Sequence, residues 1–142
     1  MILDASVVVR WFLRDEPYAD RAAALRGTLL TGRDQAIVPR VCWMEVSHAL
    51  ARAVRRGRLP AAAVEAAIEA LAGVIELVDS HDVDPVVCLR VALELGFGAY
   101  DSGYLVLSRT TGQSLITADR RQYEVGMAAG YDVVWLGDVT AA

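Results

Sequence analysis

The sequence predicts an α/β fold with a largely parallel sheet. Short apolar runs alternate along the chain with longer segments whose apolar residues recur at helical spacing. This alternation is typical of parallel strands joined by crossover helices, because parallel neighbours cannot be linked by a tight turn. Glycine or proline stands at most of the boundaries, where it ends one element or begins the next.

In the first half of the chain, strands are predicted over residues 1–4 and 36–38, and helices over residues 6–13, 17–30, 40–56 and 61–72. Pro17 fits the first turn of the second helix, and Gly32 follows the end of that helix. Pro39 is predicted to close the second strand. Gly57 and Pro60 terminate the helix that follows it.

In the second half, strands are predicted over residues 74–78, 114–117 and 132–136, and helices over residues 82–95, 100–110 and 119–129. Gly96 and Gly130 end two of these helices. The apolar run from Val74 to Val78 predicts the third strand, and the run Leu115-Ile116-Thr117 predicts a buried one.

The composition suits one folded domain spanning residues 1–142. Apolar residues make up 55% of the chain, which is enough to bury a core. Cys42 and Cys88 lie far apart in apolar surroundings, so we expect reduced core residues rather than a disulfide framework or a thiolate metal site. No segment has the pattern of a signal peptide or a membrane span, so we expect a cytoplasmic protein.

The basic residues exclude several functions. All 14 are arginine, and the chain contains no lysine. Phosphate binding by a P-loop, Schiff-base chemistry and lysine general bases are therefore excluded. The net charge of −4 means that a nucleic-acid partner must be held by a local patch of arginine against the overall field.

Four acidic residues are predicted to meet at one edge of the sheet. Asp4 and Asp119 follow strands, whereas Asp101 and Glu45 lie in the first turns of predicted helices that begin at the same edge. In an open parallel sheet, ligands bind beyond the carboxyl ends of the strands. Taken singly, the acids have plainer interpretations, since Asp101 and Asp119 fit helix N-caps and Glu45 fits a solvated helix face.

Taken together, the four carboxylates repel each other and need protons or cations to coexist. Oxygen ligands without histidine or cysteine select Mg²⁺ or Mn²⁺, which commonly serve phosphoryl chemistry. Phosphoaspartate receiver domains and aspartyl phosphatases also gather acids at this edge. Both are disfavoured because lysine is absent, and the phosphatases also want Asp-x-Asp where this chain has Asp4-Ala5-Ser6.

Four segments resemble the signature segments of PIN-domain ribonucleases: MILDAS at 1–6, PRVCWMEV at 39–46, AYDSGYLVL at 99–107 and LITADR at 115–120. Their order, their spacing and the chain length look most like the VapC toxins of bacterial toxin–antitoxin pairs. The resemblance covers essentially the whole chain. It implies a three-layer α/β/α sandwich and a metal-dependent endoribonuclease, generally a homodimer, that a cognate antitoxin blocks by covering the active groove.

The resemblance also assigns roles to individual residues. It places the four carboxylates in the quartet that holds Mg²⁺ or Mn²⁺, while Ser6 and Thr117 match hydroxyl positions that support those acids. The metal would activate the attacking water, since no side chain is a persuasive general base. His48 stands where family members often carry asparagine, and we interpret it as a packing residue.

Arginines are the candidates for RNA contact. Arg120 follows Asp119 directly, and Arg52 opens a basic run whose alternative role is to favour the C-terminus of its helix. Trp11, Trp43 and Tyr104 are candidates for stacking on bases, although core packing is the alternative for both tryptophans. No motif for direct DNA binding is present. The alternative function is a catalytically idle module that acts through antitoxin or RNA contact.

Overall fold

The computed structural model describes residues 1–140 and is organised around a parallel sheet. Its five strands are β1 (Ile2–Leu3), β2 (Ile37–Pro39), β3 (Asp79–His81), β4 (Leu115–Thr117) and β5 (Val133–Trp135). Their spatial order is β3-β2-β1-β4-β5, and every neighbouring pair is parallel. The predicted α/β fold with a mostly parallel sheet is confirmed.

Helices connect the strands and cover both faces of the sheet. In chain order they are α1 (Ala5–Val9), α2 (Ala19–Leu30), α3 (Val41–Arg55), α4 (Val64–Leu77), α5 (Pro85–Leu95), α6 (Ala99–Thr111) and α7 (Arg120–Ala128). Because crossovers between parallel strands are right-handed, this strand order assigns α1 to α4 to one face and α5 to α7 to the other. Consistent with this, α1 packs against α3 and α5 packs against α6. The result is an α/β/α sandwich.

The central strands are apolar because helices bury the sheet on both faces. Ile2, Leu3 and Leu115 are completely buried in β1 and β4. Cys42 and Cys88 are both free and buried, as predicted. Within residues 1–140, no helix is long and apolar enough to cross a lipid bilayer.

The predicted strand over residues 74–78 is wrong. Helix α4 continues to Leu77, because Val74 and Val78 are buried four residues apart while Ile75 and Glu76 are exposed, which is helical spacing. The third strand is β3 instead, a polar edge strand that pairs with β2. An edge strand of this kind carries no apolar signal in the sequence.

Smaller boundary differences have local causes. Pro39 does not close β2 but belongs to it, opposite His81 of the edge strand. The helix predicted from residue 82 begins at Pro85, because the Asp84 side chain accepts hydrogen bonds from the first backbone N–H groups. The helix predicted over 6–13 is shorter, since regular α1 ends at Val9.

Candidate active site

The crevice at the carboxyl edge of the sheet lies where the strand order reverses. Strand β1 has β2 on one side and β4 on the other. The connection from β1 leads to β2, whereas the connection from β4 leads to β5 in the opposite direction. Asp4 follows β1, and Asp119 follows β4 by one residue. Helix α3 begins directly after β2, and α6 runs back to the start of β4, so Glu45 and Asp101 enter from the same edge.

Asp4 is the buried centre of this crevice, with 7% of its surface exposed. The hydroxyls of Ser6 and Thr117 both donate to its Oδ2 atom, the latter over 2.7 Å. Ser6 Oγ in turn accepts a hydrogen bond of 3.0 Å from the backbone N–H of Ala118, which fixes its position. Burial raises the pKa of Asp4, the two hydroxyls oppose this, and the charge of Asp119 raises the pKa further.

Glu45 is partly buried on α3, and the hydroxyl of Tyr104 donates to its Oε2 atom over 2.6 Å. Burial raises the pKa of Glu45 to about 7, the Tyr104 hydrogen bond opposes this, and the charges of Asp4 and Asp101 add to the increase. Tyr104 is completely buried and also accepts a hydrogen bond of 3.3 Å from the Ala5 N–H. It therefore joins α6, α3 and the start of α1 beneath the carboxylates.

The other two acids differ in exposure. Asp101 is partly buried, and burial raises its pKa, followed by the charges of Asp4 and Asp119, while Arg121 lowers it. Asp119 is exposed and caps α7 by accepting a 3.0 Å hydrogen bond from the Gln122 N–H. The N-cap interpretation is thus right for Asp119 and wrong for Asp101, which lies in the first turn of α6 after its N-cap residue.

The four carboxylates form a negative cluster that no salt bridge neutralises. In residues 1–140, every salt bridge involves other acids: Asp15, Glu16 and Asp82. Arg10 interacts electrostatically with Asp4 and Asp119, but it donates its hydrogen bonds to backbone carbonyls. Burial, and then repulsion between neighbouring carboxylates, therefore raise the pKa values of Asp4, Glu45 and Asp101.

The oxygen donors suit a hard divalent cation, although the carboxylates lie too far apart in this structure to coordinate one together. In residues 1–140, no group of three or more His, Cys, Asp or Glu side chains is close enough to hold a metal ion. The cluster consists of oxygen donors alone and carries uncompensated charge, which suits Mg²⁺ or Mn²⁺. Binding of such a cation would have to draw the carboxylates closer together.

Two residues that sequence reasoning missed position these acids. Tyr104 holds Glu45, and its complete burial excludes the stacking on bases that the sequence suggests for it. Gln122 is 2% exposed. Its backbone N–H donates to the Asp119 side chain, and its side-chain amide donates to the Asp101 carbonyl over 3.1 Å. The contacts of Tyr104 with Glu45 and of Gln122 with the Asp101 carbonyl have no local signal, since their partners lie on different elements.

The other candidate residues have varied environments. His48 is exposed on α3, so its interpretation as a packing residue is wrong. Arg52 is also exposed and lies two helical turns beyond Glu45, about 10 Å along the axis. The stacking roles considered for Trp11 and Trp43 are not favoured, because their indole N–H groups donate within the fold to the Ala22 carbonyl and the Ser80 hydroxyl.

Gly98 leaves room for the Asp101 carboxylate. A Cβ atom at residue 98 would lie 2.6 Å from Asp101 Oδ2, whereas the backbone there is extended (φ −71°, ψ 144°) and accepts alanine. We expect Gly98→Ala to displace the carboxylate and lower the affinity for Mn²⁺ by about 10- to 100-fold without unfolding the protein. Isothermal titration calorimetry with Mn²⁺ measures the affinity, and circular dichroism monitors the fold.

Gly73→Ala is the matched control, because nothing lies within 4 Å of the added methyl group in the interior of α4. This variant should bind Mn²⁺ as the unsubstituted chain does. Equal Mn²⁺ affinities for both alanine variants would show that the Asp101 carboxylate does not depend on the space at Gly98.

Comparison with known proteins places this arrangement in context. A profile of the PIN domain family matches residues 1–127. The structure is also similar to the crystal structure of PAE2754 from Pyrobaculum aerophilum, with a TM-score of 0.72, 24% sequence identity and coverage of 96% of this chain and 90% of that one. This likeness shows a shared fold. No curated protein matches the chain.

Proposed function

Because the chain belongs to the PIN domain family, whose profile spans residues 1–127, we propose that it is a metal-dependent endoribonuclease that hydrolyses RNA phosphodiester bonds. PIN domains are generally nucleases that use divalent metals. The observation that carries the proposal is the cluster of four carboxylates, without a salt-bridge partner in residues 1–140, at the switch point of the sheet. So much negative charge without salt-bridge partners in one crevice is typical of a functional site that binds a cation.

In the proposed site, Asp4, Asp101 and Asp119 hold Mg²⁺ or Mn²⁺, and Glu45 binds directly or through a water. When bound, the metal would supply the chemistry, namely activation of a water and neutralisation of charge on the phosphate. The chain's own contribution is to hold the ligands in place. Thr117, together with the neighbouring serine hydroxyl, fixes the Asp4 carboxylate, and Asp119 is oriented by its cap on α7.

We further propose that the protein is the toxin of a VapBC-type toxin–antitoxin pair in the cytoplasm, cutting an RNA of the tRNA or rRNA class. The order and spacing of the four signature segments support this assignment. An apolar cavity of about 360 Å³ between α3 and α4 supports docking of an antitoxin segment. The exposed apolar side chains of Val86, Leu89 and Leu93 on α5 support a homodimer.

The test is RNA cleavage by the purified chain, free of any antitoxin, in Mg²⁺ or Mn²⁺ against EDTA. We expect cleavage only with metal. The products should carry 5′-phosphate and 3′-hydroxyl ends, because water attacks the phosphorus opposite a departing 3′ oxygen. Metal-dependent products with cyclic 2′,3′-phosphate ends would indicate that the RNA's own 2′-hydroxyl is the nucleophile and would contradict the proposal.

A broad RNA pool is used first, followed by purified tRNA and rRNA. Metal binding without cleavage of any of these RNAs would favour the alternative function, a catalytically idle module that acts through antitoxin or RNA contact. Absence of metal binding in calorimetry would show that the carboxylate cluster is not a metal site.

A further inference from the structure

Trp135 lies beside the carboxylate cluster at the end of the neighbouring strand. It is the last residue of β5 and pairs in register with Thr117 of β4, whose hydroxyl donates to Asp4. Paired residues of adjacent parallel strands project from the same face of the sheet, and the strands lie about 4.8 Å apart. The indole is therefore one strand away from the hydroxyl that holds Asp4, and two strands away from Asp4 itself.

The indole is held by its neighbours before any ligand binds. The edge of the Tyr18 ring meets it with centroids 5.8 Å apart at 82°, and Tyr123 packs against it at 5.9 Å. A Cβ atom at Gly137 would collide with the indole nitrogen, so the backbone closes on that side. An aromatic group fixed in this way can position a partner at little entropic cost.

That partner is Arg120, whose guanidinium carbon lies 4.3 Å from the centre of the Trp135 ring. Arg120 is exposed and has no carboxylate within salt-bridge distance in residues 1–140. It is also the first residue of α7, where the helix dipole disfavours a cation. The next residue, Arg121, differs because it donates to the Gly96 carbonyl over 2.8 Å and so has a structural role.

We propose that Arg120, backed by Trp135, is a stacking subsite for a base of single-stranded RNA next to the bond that is cut. The assignment of RNA as the ligand rests on the proposed function. A guanidinium plane held on an indole presents its other face to an unstacked base, and its N–H groups to the adjacent phosphate. Its charge also offsets the repulsion between RNA and the carboxylates beside it.

The test measures RNA binding in EDTA, where cleavage is not expected, by fluorescence anisotropy at low salt. The two probes are a labelled oligoadenylate and a ribose-phosphate backbone of the same length without bases. Arg120→Lys keeps the charge but loses the planar group. We expect it to weaken binding of oligoadenylate by about 5- to 150-fold and to leave binding of the abasic backbone nearly unchanged.

Arg120→Ala should weaken the binding of both probes and reduce the slope of log affinity against log salt by about one. Trp135→Leu should behave as Arg120→Lys does, because it removes the surface that holds the guanidinium. The binding of Trp135→Leu is interpreted only if its melting temperature equals that of the unsubstituted chain. The Arg120 variants alter only an exposed side chain and decide the result on their own.

Arg109→Lys is the matched control. Its guanidinium also lies 4.3 Å from an aromatic ring, that of Tyr131, but at the amino edge of the sheet, away from the carboxylates. This variant should bind both probes as the unsubstituted chain does. The inference is overturned if Arg120→Lys binds oligoadenylate with unchanged affinity, if it loses the same factor on both probes, or if the unsubstituted chain binds neither probe.

These outcomes are separate from the nuclease assay. A loss of base-dependent binding in Arg120→Lys supports the subsite even if no RNA is cut in Mg²⁺ or Mn²⁺. Metal-dependent cleavage with unchanged oligoadenylate binding by Arg120→Lys supports the nuclease and overturns the subsite.

Discussion

We expect Asp4→Asn to lower the metal-dependent rate of RNA cleavage by about 10²- to 10³-fold while leaving the fold intact. The substitution removes one negative charge from the buried centre of the carboxylate cluster. Ser6 and Thr117 both donate to the same oxygen of Asp4, so an amide oxygen in that position can keep both hydrogen bonds. Cleavage rates in saturating Mn²⁺ and thermal melts in EDTA test the two halves of this expectation.

The stability of Asp4→Asn should not fall in EDTA. Burial disfavours the charged form of Asp4, and the neighbouring charge of Asp119 adds to this, so a neutral residue of the same shape removes an unfavourable contribution. We expect a melting temperature equal to or above that of the unsubstituted chain. A lower one would mean that lost activity reflects unfolding rather than the loss of a metal ligand.

Asp34→Asn is the control for this experiment. Asp34 is exposed in the loop before β2, at the opposite edge of the sheet from the carboxylates. Its neutralisation changes the net charge by the same amount and should leave cleavage unchanged. Equal losses in both variants would indicate an effect of overall charge and would count against Asp4 as a ligand.

The acids could be found from the sequence because their surroundings are unusual. Asp4 interrupts an apolar run that reads as a buried strand, and a charged residue there needs a partner. Asp119 follows a second such run directly. The rule that ligands bind beyond the carboxyl ends of parallel strands then brings these residues together without knowledge of the strand order.

The contacts that orient the acids could not be found in this way. Tyr104 lies 59 residues from Glu45, and the hydrogen bond between them depends on how α6 packs across the sheet. Trp135 reads as one more apolar residue of a strand, and only the β4–β5 register places it beside Thr117. Sequence patterns give the period of an element, but the partners of a side chain depend on tertiary packing.

The third strand shows the same limit for the fold. Residues 74–78 are apolar enough for a strand, yet they continue α4 because only one side of them is buried. The actual edge strand, β3, is polar, and its identity comes from hydrogen bonding to β2. Short apolar runs are ambiguous between strand and helix when the neighbouring element is unknown.

The raised carboxylate pKa values predict how stability depends on pH and on metal. The pKa of Glu45 is about 7 in the folded protein and 4.5 in its ordinary state, and Asp4 and Asp101 are raised as well. Between these values the folded chain holds protons that the unfolded chain has released. The protonation of Glu45 therefore stabilises the folded chain fully below about pH 4.5, and this stabilisation is lost as the pH rises through about 7.

In EDTA, we accordingly expect the melting temperature to fall between about pH 5 and about pH 7.5. Glu45→Gln should flatten this decrease because the amide does not titrate. Glu69→Gln, on the exposed side of α4, is the matched control and should keep the slope. A melting temperature that stays level or rises over this interval would contradict the assigned direction of the Glu45 shift.

A divalent cation should reverse the trend. Because Mn²⁺ and protons compete for the same oxygens, the cation stabilises the folded chain more at about pH 7.5 than at about pH 5. At a hundredfold excess over its dissociation constant it adds about 2.7 kcal/mol, which corresponds to an increase of several degrees in melting temperature. An equal increase at both pH values would mean that Mn²⁺ binds away from the titrating carboxylates. The same repulsion that destabilises the metal-free fold is thus the source of its affinity for the cation.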